Sequence, residues 1–176
     1  MSKTLRLILG DQLNIQHSWY KEVNTNTTYV IMEVMQEQEY VRHHVQKIVG
    51  FFAAMRSFAQ ELESLGHLVI YIKLDDAENE QSFAANIDKL ISKFQINKFE
   101  YQEPDEYRLT EELKKICHHL NIESSISDTE HFFTQKDDVK NFFKGKKQYL
   151  MENFYRDMRK KHHLLMDENG EPEGGK

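Results

Sequence analysis

Cysteine is nearly absent from this sequence, with Cys117 alone in 176 residues. A single thiol cannot close an internal disulfide, and it cannot by itself hold zinc or an iron–sulfur cluster. Thiol-based metal and redox chemistry is therefore excluded from these residues, and a buried, inert Cys117 is expected. Two prolines and seven glycines are too few for a collagen-like or low-complexity chain and point to long regular elements. No apolar run approaches the ~20 residues of a bilayer span, and the N-terminus enters a strand pattern without signal-peptide features. A cytoplasmic protein with no membrane partner is expected. The two familiar phosphate cradles, GxGxxG and GxxxxGK[ST], are missing as well.

The residues present describe a globular chain, 39% hydrophobic and 30% charged, long enough for one domain with a full core. A net charge of −6 argues against wrapping a phosphate backbone over the whole surface. The basic stretch with Arg156, Arg159, Lys160 and Lys161 around Tyr155 and Met158 reads better as a solvated helix face than as a nucleic-acid contact. Residues 5–9, 28–34 and 68–74 are short apolar runs with strand character, and 98–103 and 122–127 are weaker candidates. The near-continuous apolar character of the second and third suggests strands covered on both faces. Between them lie helical stripes: Val45, Ile48, Val49, Phe52, Met55, Ala59 and Leu62, ending at Gly66; Phe83, Ile87, Leu90, Ile91 and Phe94; and Leu109, Leu113, Ile116, Cys117 and Leu120. Strand and helix alternate. The expected fold is a Rossmann-like α/β, a doubly wound parallel five-stranded sheet of order 3-2-1-4-5 with helices on both faces. A helical C-terminal extension follows. The domain boundaries expected are 1–130 for the α/β part, 131–165 for the extension and 166–176 for a flexible tail.

Ligands in such sheets bind outside the carboxyl ends of the strands, above all where the strand order reverses. In the stretch LRLILGDQLN, Gly10, Asp11 and Gln12 occupy that place after the first strand. Gly10 allows a ligand close to the backbone, and Asp11 and Gln12 offer acceptors and an amide; the alternative is that Asp11 caps a short helix. Glu37 opens the long helical pattern, where the dipole alone favours a carboxylate, yet it can also accept an N–H from a ring. Tyr40, three residues on, shares its helical face and can lie flat against that ring. The pairs His43-His44, His118-His119 and His162-His163 do not chelate, because neighbours on a helix point about 100° apart. Asp11 with Asp76 resembles the acid cluster of a receiver domain, but the accompanying lysine is missing. A generic nucleotide-binding or receiver-like regulatory module is the alternative reading.

LRLILGDQLN, EVMQEQEYVRHHVQKI, FFAAMRSFAQEL, DEYRL and ENFYRDMRKKHHLLMDENGEPEGGK, taken in order, resemble the N-terminal part of the photolyase-related bacterial cryptochromes and prokaryotic (6-4) photolyases. These are the iron–sulfur deoxyribodipyrimidine photolyase-related proteins. The resemblance implies an antenna domain holding 6,7-dimethyl-8-ribityllumazine, followed by a helical domain with FAD, a [4Fe-4S] cluster and most of the DNA-binding surface. On that resemblance the full-length protein is a DNA photolyase or a blue-light photoreceptor, and damaged DNA is a partner only of that longer protein. This chain alone would be catalytically inactive, with the chromophore and the C-terminal FAD/iron–sulfur domain as its partners. Carried over by position, Asp11, Gln12, Glu37 and Tyr40, with Met32 and Glu103, match the lumazine-contacting positions. Phe51 flanks the helix stripe, where its ring competes for the space of a chromophore.

Overall fold

A computed structural model describes residues 2–36 and 43–174. The apolar runs form strands β1 Thr4–Leu7, β2 Thr27–Met32, β3 Leu68–Ile72, β4 Lys98–Gln102 and β5 Glu123–Ser127. They join in one five-stranded sheet of order β3-β2-β1-β4-β5, and every ladder is parallel. This is the Rossmann-like α/β arrangement that the alternation of strand and helix predicts.

The period of two along β1 decides which residues face which layer. Leu5 and Leu7 join Val30, Phe99 and Tyr101 on one face. That face is covered by helix α2, Phe83–Phe94, and helix α3, Tyr107–His119, through Ile87, Leu90, Leu109, Leu113 and Ile116. On the opposite face Ile8, Tyr29 and Ile31 meet Trp19 and Tyr20 from a short 3-10 turn, together with Phe58, Ala59 and Leu62 of helix α1, Val45–Ser64. Arg6 also points to this second face. Its Nε donates to Glu100 at 2.7 Å and its guanidinium lies 4.7 Å from the centre of the Trp19 ring, so a charge on the central strand is neutralised and covered. Burial opposes ionisation of Glu100, but Lys98 and Arg6 outweigh it and hold the carboxyl below its ordinary value. Cys117 is free and half-buried, with its thiol pushed up by burial.

The stripe predicted for α1 faces the core only in its second half. Met55, Phe58, Ala59 and Leu62 are buried, whereas Val45 and Val49 are 64% and 61% exposed. The reason is that the first turns pass beyond the strands: Ile48, Phe51 and Phe52 face the loops that follow β1 and β2. Periodicity reports a helix face but not where the sheet beneath it stops.

The chain divides into two units, Met1–Thr129 and Glu130–Lys176. In the second, helices α4, Asp138–Phe143, and α5, Met151–His162, meet through edge-on contacts among Phe142, Phe143, Phe154 and Tyr149. At the other end Lys161 Nζ lies 3.4 Å from the Asp138 carboxylate, so the two helices run antiparallel. In the polar stretch that follows, the Asp167 carboxylate accepts the main-chain N–H of Asn169 and Glu171, and a bridge joins Met166 to Pro172.

Leu7 is completely buried at the centre of the sheet. Leu7→Ala is expected to lower the unfolding free energy by about 2–5 kcal/mol, measured by denaturant titration against the unaltered chain.

Candidate functional site

The loops at the carboxyl ends of β1 and β2 and the N-terminal parts of α1, α2 and α3 line a cavity of about 170 Å³. A cavity of ~150 Å³ already admits a benzene ring. Leu9, Met32, Val34, Phe52, Met55 and Phe83 give it an apolar lining, and Asp11, His43, Lys47 and Glu106 supply polar groups. It lies beside β1, where the strand order reverses. Gly10 faces α1 there: a Cβ at this position would stand 2.9 Å from Met55 Sδ and 3.1 Å from the Phe51 ring. A side chain here would push the ends of Met55 and Phe51 aside. Phe51, 42% exposed, is one wall of the cavity and leaves its interior open.

Gln12 lies beneath this mouth and is 1% exposed. Its Oε1 accepts the Leu9 N–H at 3.1 Å, and its Nε2 donates to the carbonyls of Gln102 at 3.2 Å and Glu103 at 3.5 Å. One amide thus ties the end of β1 to the end of β4 and fixes the loop that presents Gly10 and Asp11.

On the other side of the cavity Glu33, immediately after β2, is fully buried. Its carboxylate accepts Arg56 Nε and Nη2 at 2.7 and 2.9 Å, the Tyr71 hydroxyl at 2.7 Å and the Leu74 N–H at 2.9 Å. Burial opposes its charge, but Arg56, Tyr71 and Leu74 outweigh burial and lower its pKa. Burial and the bond to Glu33 together raise that of the Tyr71 hydroxyl. Asn79 continues the network, with its Nδ2 donating to the carbonyls of Glu33 and Lys73 at 2.7 and 2.8 Å and its Oδ1 accepting from Gln81 N–H and Asn86 Nδ2. The α1 wall is therefore pinned to β2 and β3 by charge-assisted bonds from a side chain one turn beyond Phe52.

Comparison with known proteins gives a concordant answer. The family model for deoxyribodipyrimidine photo-lyase-related protein matches residues 6–176. The chain belongs to the photolyase-related family. A (6-4) photolyase of Agrobacterium fabrum (strain C58) is 38% identical over 174 residues, which is 98% of this chain but 34% of that protein. The chain thus spans about a third of the length of the curated relative it matches.

In this photolyase-related chain, three of the residues singled out from sequence, Gly10, Asp11 and Met32, line the cavity. Gln12 lies below it with both amide atoms on main-chain groups. Glu103 meets Gln12 through its carbonyl and donates its own N–H to Ser127 at 2.8 Å. Glu37 and Tyr40 lie outside the described residues. Asp11 and Asp76 do not share a pocket: Asp76 lines a separate groove beside β3, and its carboxylate accepts the Lys73 N–H at 2.7 Å. His44 caps α1 by accepting the Gln46 N–H, while Lys47 Nζ lies 3.3 Å from His43 Nδ1. Among the described residues no His, Cys, Asp and Glu cluster suits a metal ion. Sequence reasoning missed Lys47, Glu106 and the Glu33–Arg56–Tyr71 network. The one signal for the last was an acid directly after a continuous apolar run, and its partners lie 23 and 38 residues away.

Glu33→Gln is expected to destabilise the fold by about 1–3 kcal/mol at pH 7. Because the folded pKa of Glu33 is lowered, its contribution is complete above the ordinary carboxyl range near ~4.3. It declines as the pH falls through that range and is lost below the folded value. The difference in stability between the variant and the unaltered chain should therefore shrink on acidification, measured by urea titration at a series of pH values.

Proposed function

We propose that the α/β unit is the light-harvesting domain of a larger photolyase-related protein and that its cavity receives 6,7-dimethyl-8-ribityllumazine. The observation that carries this reading is the cavity itself: an apolar slot at the strand-order switch point, opened by Gly10 and edged by polar groups, with no phosphate cradle. The residues present fit the group. Met32, Phe52 and Met55 offer surface to a flat ring, and Asp11 with the other edge groups offers partners to an imide edge and a polyhydroxyl chain. Glu37 and Tyr40 are assigned to the same ligand as an N–H acceptor and a ring partner. Gln12 and Glu103 hold the strand mouths in place around it.

A bound lumazine supplies absorption of short-wavelength light and passes the energy without contact to a flavin. The task of this chain is to bind, orient and dry the ring, and no proton or nucleophile is required of it. FAD, a [4Fe-4S] cluster and the encounter with damaged DNA are assigned to the remaining two-thirds of a protein the length of the relative, in a cytoplasmic setting. Whether the whole acts in light-dependent repair or in blue-light signalling depends on that part. A nucleotide-binding or receiver-like module would instead be favoured by stabilisation with ATP or by phosphoryl labelling of Asp11.

Titration of the purified chain with the lumazine should give a saturable, one-to-one change in its fluorescence. Glu37→Ala and Tyr40→Ala should each weaken binding about tenfold. Gly10→Val should weaken it at least as much, because its Cβ meets Met55 and Phe51, while the far-ultraviolet circular dichroism stays the same. A chain that gives no saturable signal, or variants that bind as tightly as the parent, would refute the assignment.

A further inference from the structure

The cations of α5 are largely spent within the chain, and those of the stretch before it are not. Arg156 pairs with Glu152 at 2.6 Å, Lys161 pairs with Asp138 at 3.4 Å, and Arg159 donates to the carbonyls of Leu164 and Leu165. From α4 to the start of α5, residues 140–150 read KNFFKGKKQYL and hold four lysines without one acid. Lys140, Lys144, Lys146 and Lys147 are all exposed, and among the described residues none of them is in an ion pair. The nearest acids along the chain, Asp138 and Glu152, are the two already taken by Lys161 and Arg156.

The local backbone and the aromatic core keep these charges together. Gly145 takes φ +76°, a left-handed conformation that turns the chain and gathers Lys144, Lys146 and Lys147 at the tip of the helical hairpin. Lys146 Nζ lies 3.1 Å from the centre of the Phe142 ring, and Phe142 packs edge-on against Phe143 and Phe154. An exposed ammonium is thus anchored to the hairpin core. Lys140 stands four residues before Lys144, a spacing at which like charges repel. The tip carries +4 in a chain of net charge −6, which leaves −10 on all other residues.

We infer that this hairpin tip contacts the phosphate backbone of a duplex nucleic acid. An outside anion relieves the repulsion among the lysines, and a polyanion engages all four where a lone phosphate reaches one or two. A duplex carries one charge per ~1.7 Å of its axis and releases condensed counterions when lysines replace them, a gain that a sparser acidic peptide does not supply. A broad anionic surface such as a membrane also meets the −10 of the remaining residues and is repelled by it. Lysines act as point charges and the backbone carries no sequence information, so the contact needs neither a particular sequence nor a lesion. It is separate from the encounter with damaged DNA assigned above to the rest of the protein, and it does not rest on the lumazine reading.

Fluorescence anisotropy of a short, undamaged, labelled DNA duplex titrated with the 176-residue chain tests the inference. Binding is expected with a dissociation constant of about 1–100 µM, weakening with salt along a log–log slope of about −3 to −4. Lys144→Gln and Lys147→Gln should each reduce that slope by about 1 and together weaken binding at least about tenfold. The charge-conserving pair Lys144→Arg and Lys147→Arg should bind as the parent does, and so should Lys114→Gln on α3. No saturable change up to ~100 µM protein, the upper end of non-specific affinity, would overturn the inference. So would a slope that the two glutamine substitutions leave unchanged, or tighter binding to polyglutamate or to phosphatidylserine vesicles than to the duplex.

Discussion

The arrangement of the site depends on the carboxylate of Glu33. An ionised group without solvent contact is tolerable only when its oxygens are satisfied, and here Arg56, Tyr71 and the Leu74 amide do so together. Those three partners belong to α1, to β3 and to the loop after β3. Because none can leave without stranding the charge, the helix is fixed in height and rotation against two strands. That restraint sets where Phe51, Phe52 and Met55 stand, and with them one wall of the cavity. Only the carboxylate of this pair is buried, since the Arg56 side chain keeps 47% of its surface exposed, so its removal would cost chiefly through the buried charge left without its partner.

The opposite wall rests on a neutral restraint of similar logic. Gln12 spends its amide on the backbone of β1 and β4, closing the gap that the reversal of strand order opens between their ends. Gly10 can then pass under α1 without a side chain. The two restraints act on different strands, one charged and one neutral, and the cavity is the space that remains between them. The switch point is where such a space has to occur, since β2 and β4 leave β1 in opposite directions and their connections cannot cover the same ground.

Membership of the photolyase-related family gives these features their context. The match covers almost all of this chain but only a third of the relative.

The sequence by itself determined the fold class, the five strands and their order, because alternation of period two with period 3.6 and short connections leaves few topologies. It also located the strand mouth at Gly10, Asp11 and Gln12, since polar residues that interrupt an apolar run mark its end. It did not decide how Gln12 is used, as an amide can serve a ligand or a backbone equally well until its neighbours are known. Val45 and Val49 misled for the same reason: their helical spacing is genuine, but only the length of the strands beneath them decides that they stay exposed. Glu33, Arg56 and Tyr71 are separated along the chain and carry no local pattern, so their meeting was a decision of tertiary structure alone. Local periodicity is written in consecutive residues, whereas the satisfaction of a buried charge depends on which distant residues packing brings within hydrogen-bond reach.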